Sequence, residues 1–256
     1  SMLQIESTKH LLGVTIQGDY DDLYDLVDSI YGICGFDERP ESPYYGTKNL
    51  LLGLCYEVRH AYQGSREILT VENGINKDIM KWKEVEAPTA NVYFSTNIFF
   101  PEAIFLAIAL PEIYPFSEKY YGRHSKYKGK VYEPRSLARF YRDRANLEVL
   151  GAAIWQALAG VLGEKAVERL LEERSELEPE HYISYIIEYI KPCNMELIRT
   201  ETKDRKAKLQ DIAEKIMRKP ESYDELEKRL TYWAEKYGRN IHLIHAKEEY
   251  PEEIEW

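Results

Sequence analysis

The sequence predicts an α+β fold: a small, mostly antiparallel N-terminal sheet packed with helices, and a C-terminal part that is largely α-helical. Three observations predict it. Short β-branched and aromatic runs bounded by turn residues are confined to about the first hundred positions. From Arg135 onward apolar residues recur at helical spacing. Between the two, residues 91–110 (NVYFSTNIFFPEAIFLAIAL) change character half-way. Val92 to Phe94 suit a strand, Pro101 suits the first turn of a helix, and residues 103–110 continue as an apolar helix that Pro111 should stop. This stretch is expected to be the structural centre, with Ser95, Thr96, Asn97 and Glu102 as the polar groups at its joint.

Taken in order, residues 3–5 and 11–16 read as two strands joined through Ser7, Thr8 and Lys9. Asp19 caps a helix over 20–31, where Leu23, Leu26, Val27 and Ile30 form an apolar stripe. Residues 35–46 are a loop by their Pro and Gly content, and a helix follows over 47–63 with Gly64 as its C-terminal cap. Residues 66–71 alternate as a strand, Asn73–Gly74 is a turn, and 81–88 are loop or irregular edge. Residues 112–134 read as irregular. Residues 146–162 should be a second buried helix, broken at Gly163, followed by helices over 164–177, 181–190 (stopped by Pro192), 202–219, and one capped by Ser222 that closes at Gly238. Residues 241–244 read as a last strand and the acidic tail as peripheral. One domain, 1–256, is expected, with a possible subdivision near 116–133 into an N-terminal α+β part and a C-terminal helical part.

Composition narrows the function classes. The 256 residues carry a net charge of −10, distributed as −10 over 1–118, +7 over 119–144 and −7 over the remainder. That balance argues against wholesale nucleic-acid coating. The three cysteines are widely spaced, which disfavours a disulfide scaffold or zinc ribbon and fits a reducing, cytoplasmic setting. The N-terminus has no basic head or apolar run of a signal peptide, and no run of about 18 apolar residues marks a membrane span. With 21 Tyr against 7 Phe, many tyrosines are expected at the core boundary.

Two stretches carry candidate chemistry. In residues 56–67 (YEVRHAYQGSRE), Glu57 and His60 stand three apart and share a helix face. The spacing matches the Glu-x-x-His pair of di-iron bundles, but the second match, Glu178 and His181, spans Pro179, so no metal and no cofactor is expected. Glu57, Arg59, His60, Gln63 and Arg66, meeting Asn97 and Glu102, would form a polar pocket for a small anion or a partner's acidic segment. An enzyme of hydrolase or nuclease type would use His60 as base or metal ligand, Glu57 as its partner and Arg59 or Arg66 as the anion clamp. The plainer reading is an ion-paired helix edge. In residues 119–144 nine Lys/Arg alternate with Tyr and Phe. Arg123, Lys126, Lys128 and Lys130 would contact an anion or single-stranded nucleic acid there, unless the island pairs with the protein's own acidic surface. His242 and His245, three apart, would face opposite sides of a strand. No P-loop, GxGxxG, GxSxG or HExxH occurs. The expectation is therefore a soluble binding or interaction protein, with catalytic residues unassigned.

The segments LLGVTIQGDYDDL (11–23), LCYEVRHAYQGSREI (54–68) and NVYFSTNIFFPEAIF (91–105) resemble a family of uncharacterised bacterial proteins, over roughly the first 110 residues. The resemblance implies a bacterial, intracellular protein and carries over no catalytic residue.

Overall fold

The computed structural model describes residues 2–35, 44–127, 130–174, 186–218, 220–246 and 249–256, without the side chains of 125–127, 130–132 and 186–187. The expected loop at 35–46 lies mostly outside these, as do Glu178, His181 and Lys128.

Four strands form one antiparallel sheet in the order β1-β2-β4-β3: β1 Gln4–Ser7, β2 Gly13–Gly18, β3 Glu67–Glu72 and β4 Ala90–Phe99. Alternation divides its faces. Val14 and Ile16 of β2, with Thr96 and Ile98 opposite them on β4, are buried under the helices. Thr15, Gln17, Asn97 and Glu67 project from the other face. There the C-terminal tail returns: the Trp256 carbonyl accepts from the His10 N–H at 2.7 Å, and the Trp256 ring lies 4.7 Å from that of Phe99. The tail is thus partly structural, because Trp256 covers apolar surface that the sheet leaves open.

Asp19 and Asp22 form a reciprocal capping box at the start of α1 (Tyr20–Ile33). Helix α2 (Tyr45–His60) runs into a wider turn, Ala61–Ser65, closed by Gly64 at φ 81°, a left-handed conformation that favours glycine. Residues 84–88 are irregular as expected, but a short helix, α3 (Lys77–Lys83), reaches into the start of that stretch, because the Asn76 side chain accepts from the Ile79 N–H and nucleates a turn.

Helix α4 (Phe100–Glu118) is apolar on every side and almost entirely buried, so it is the central element around which the others pack. Pro111 does not stop it. Pro111 and Pro115 are four apart on the same exposed edge, and the helix runs on past both. The Arg174 Nη2 donates to the Ile108 carbonyl at 3.1 Å beside that edge. A two-stranded hairpin, β5 Ser125–Tyr127 and β6 Lys130–Tyr132, occupies part of the stretch read as irregular.

Helix α5 (Leu137–Leu162) starts nine residues before the apolar run at 146–162, since Ser136 caps it. It is long and apolar enough to cross a membrane by length and composition, with a third of its most apolar window buried. Phe140, Leu147, Leu150, Ile154 and Leu158 face inward at three- and four-residue spacing, and Val149 and Ala152 face outward. The expected second buried helix is therefore half-buried. Gly163 breaks the chain before α6 (Glu164–Arg174). Helix α7 (Ile186–Arg199) passes through Pro192, which sits exposed while Tyr189, Ile190, Cys193 and Leu197 are buried. Residues 202–204 form a short 3-10 turn before α8 (Arg205–Arg218). Helix α9 (Glu221–Tyr237) begins after Pro220. Ser222 lies inside it rather than capping it, and shares a hydrogen bond with the Tyr189 hydroxyl at 3.3 Å. The last segment, Ile241–Leu243, is a 3-10 turn rather than a strand, set by Asn240, whose side chain accepts from the His242 N–H. One contiguous hydrophobic cluster runs from Leu12 to Tyr223.

Candidate functional site

The end of α2 does meet the start of α4. Glu102 is the third residue of α4, and its carboxylate accepts from the Phe99 N–H, the return half of a capping box. Burial raises its pKa to about 7, the Glu57 charge adds to the rise, and the Phe99 N–H opposes it. Of the other residues expected at this site, only Glu57 and Arg66 meet each other. The Arg66 Nε and Nη2 both donate to Glu57 Oε2, at 3.1 and 3.0 Å. The Arg59 Nη1 donates to the Tyr31 hydroxyl at 3.2 Å. The His60 ring packs edge-on against Tyr56, centroids 4.3 Å apart. Gln63 is exposed on the wide turn. Asn97 does not join them: it accepts from the Thr15 hydroxyl at 2.6 Å on the opposite face of the sheet, because β4 extends through Phe99 and alternation turns Asn97 away. The expected joint pocket is thus an ion-paired helix edge at Glu57 and Arg66, with Glu102 beside it.

The C-terminal half of the basic island, Arg135 to Arg144, is consumed within the fold. Asp143, fully buried, accepts from the Tyr121 hydroxyl at 2.7 Å and from Arg139 Nε at 3.0 Å, and Arg135 lies within 3.4 Å. Arg135 and Arg139 also hold Asp28 of α1. Arg144 pairs with Glu148 and Arg142 with Asp25. A side chain at Gly32 would meet Asp143 Oδ2 at 2.3 Å, so glycine is what lets α1 approach this network. Arg123 remains exposed, and the side chains of Lys126 and Lys130 are outside the described residues.

The arrangement that sequence reasoning missed lies between α7, α9 and residues 243–246, a cleft of about 940 Å³. On one wall Glu188 is buried. Its Oε1 accepts from Lys191 Nζ at 2.7 Å and lies 2.9 Å from His245 Nδ1; its Oε2 accepts from the Ala246 N–H at 3.1 Å. Burial pushes the Glu188 carboxyl up, but the hydrogen bonds from Lys191, His245 and Ala246 together with the Lys191 charge outweigh it and hold the pKa below the ordinary value. The other wall is α9, where Arg229, Trp233 and Tyr237 recur every four residues on one stripe beside Leu226 and Leu230. Trp233 and Tyr237 stack, with rings 5.6 Å apart and 13° from parallel. Arg229 and Arg239 line the cleft and make no ion pair with any described residue.

The signal that could have found the cleft was that four-residue recurrence of a cation and two aromatics on one helix. His245 carried no local signal, since its carboxylate partner is 57 residues away. His242 is placed apart from it, with its ring 6.1 Å from that of Tyr45. Among the described residues, no group of three His, Cys, Asp or Glu is close enough to hold a metal ion. All three cysteines are buried thiols, and burial raises Cys34 and Cys193 to about 12.

Comparison with known proteins agrees with the absence of a familiar motif. No curated protein and no solved structure matches the chain. A family described as a domain of unknown function, DUF6904, matches residues 3–256, well past the segments that carried the sequence resemblance. The chain therefore belongs to the DUF6904 family, whose function is unknown.

Proposed function

We propose that the protein binds a small anion carrying a flat apolar group in the cleft between α7 and α9. One observation carries this reading: in a chain of net charge −10, Arg229 and Arg239 line one cleft without an acidic partner among the described residues, beside the stacked Trp233 and Tyr237. Guanidinium groups hold phosphate or carboxylate through paired hydrogen bonds, and indole and phenol rings accept a planar group. Nucleic acid is the less favoured ligand, because four of the five arginines of the basic island, Arg135, Arg139, Arg142 and Arg144, are spent on Asp28, Asp143, Asp25 and Glu148. The buried thiols support placement in a reducing compartment, the cytoplasm.

Calorimetric titration with phenyl phosphate, inorganic phosphate and phenol tests the reading. Phenyl phosphate should bind at least tenfold tighter than either fragment. Absence of saturable phenyl phosphate binding overturns it.

A second reading, acid–base chemistry, has one observation in its favour. With Nδ1 held by the buried Glu188, the His245 ring has its other nitrogen available as a proton acceptor at the cleft. Hydrolysis of p-nitrophenyl phosphate that His245→Gln abolishes would support an enzyme; equal rates in the two proteins would reject it.

A further inference from the structure

The two edges of the sheet differ. β1 packs against α5, whereas β3 pairs with β4 on one side and, among the described residues, has no strand on its other edge. All six residues of β3, EILTVE, are exposed. Ile68 is 52% exposed, Leu69 40% and Val71 46%, with Val92 beside them on β4 at 46%. Edge strands are ordinarily blunted by proline, lysine, a bulge or a covering element. β3 has none of these, and its register with β4 is unbroken from Glu67 to Glu72. Its interior, Ile68 to Val71, is β-prone and apolar but for Thr70, with a glutamate at each end.

From this edge we propose that the protein forms a two-fold dimer by antiparallel pairing of β3 with β3 of a second copy, giving a continuous eight-stranded sheet. Charge selects both the occupant and the register. With Leu69 on the two-fold axis, Ile68 faces Thr70 of the second copy, Glu67 faces Val71, and Arg66 faces Glu72. The last pair occurs twice by symmetry and extends the Glu57–Arg66 ion pair across the interface. A slip of one residue sets Glu67 opposite Glu72, like charges directly opposed, and is disfavoured. In the favoured register Leu69 and Val71 of both copies share one face with Tyr93, and Ile68 shares the other with Val92 and Phe94, so the exposed apolar side chains cover one another.

Sedimentation velocity on the full chain, with cross-linking at chosen positions, tests this. The wild type should sediment at twice the 30.1 kDa of one chain at high concentration. Leu69→Lys, which puts two like charges on the axis at an exposed position, should be monomeric with an unchanged far-ultraviolet circular dichroism spectrum. Under mild oxidation Leu69→Cys should form a covalent dimer, because opposed residues on the axis have Cβ atoms within about 5.5 Å, while Glu67→Cys should not. The native thiols are buried and give little background. A wild type that stays monomeric at every concentration overturns the proposal. So does a dimer that Leu69→Lys leaves intact, which would indicate another interface, or equal cross-linking at the two cysteine positions.

Discussion

The end of α2 and the cleft beside α9 contain the same residue types, a glutamate, a histidine and arginine, arranged to opposite effect. At the end of α2, Arg66 closes onto the exposed Glu57 and His60 lies on Tyr56, so the charges cancel within the fold. At the cleft, Glu188 is buried and spent on Lys191, His245 and a backbone N–H, and Arg229 and Arg239 have no acidic partner among the described residues. What separates an ion-paired helix edge from a binding site is therefore which carboxylate is sequestered, and the list of residue types does not reveal it.

The sharpest way to break this comparison is to remove each glutamate. Glu188→Ala leaves Lys191 and the Ala246 N–H without their buried acceptor and should cost about 3–5 kcal/mol in urea unfolding. Glu57→Ala removes a pair about one-third exposed and should cost less than about 1 kcal/mol. Equal losses would erase the distinction. Because the pKa of Glu188 lies below its ordinary value of 4.5, its contribution is complete above that pH and is lost as pH falls through the lowered value.

Glu102 responds in the opposite sense. Its pKa rises in the folded chain from 4.5 to about 7, so folding favours the protonated form. Its stabilising contribution is full below pH 4.5 and is lost as pH rises through about 7. Glu102→Gln keeps a carbonyl acceptor for the Phe99 N–H and removes the charge beside Glu57. It should stabilise the protein by about 1–3 kcal/mol at pH 8 and leave thermal stability near pH 4 almost unchanged. A stability difference that does not vary with pH would detach Glu102 from Glu57.

Smaller still are the effects expected at the arginines. Arg229→Ala and Arg239→Ala should each change stability by less than about 0.5 kcal/mol, since neither is paired. Arg66→Ala should cost up to about 1 kcal/mol through Glu57. A large loss of stability at Arg229 or Arg239 would mean that these side chains hold the fold rather than a ligand.

Much of the fold was legible because its signals are local. Asp19 caps α1, Gly64, Gly163 and Gly238 close their segments, and the change of character within residues 91–110 marks the passage from β4 to α4. The prolines misled. Pro111 and Pro192 lie on exposed helix edges, where a missing N–H costs little against the burial of Ile108, Leu110, Cys193 and Leu197 around them. Of the candidate site, the meeting of the α2 end with Glu102 was legible from the polar joint. The fate of its charges was not, because Arg66 finds Glu57 only once the wide turn at 61–65 brings them together. The other wall of the cleft was illegible for a related reason: His245 meets Glu188 only through the packing of α7 against the chain after α9.

The central claim, that Arg229 and Arg239 are free to receive an anion while Arg66 is not, is tested most directly by measuring phenyl phosphate affinity in the wild type, the Arg229→Ala/Arg239→Ala double variant and Arg66→Ala. The account predicts that the double variant loses more than about tenfold in affinity, as expected for the loss of charged hydrogen bonds, and that Arg66→Ala binds like the wild type. An unchanged affinity in the double variant, or a loss in Arg66→Ala as large as in the double variant, would contradict it.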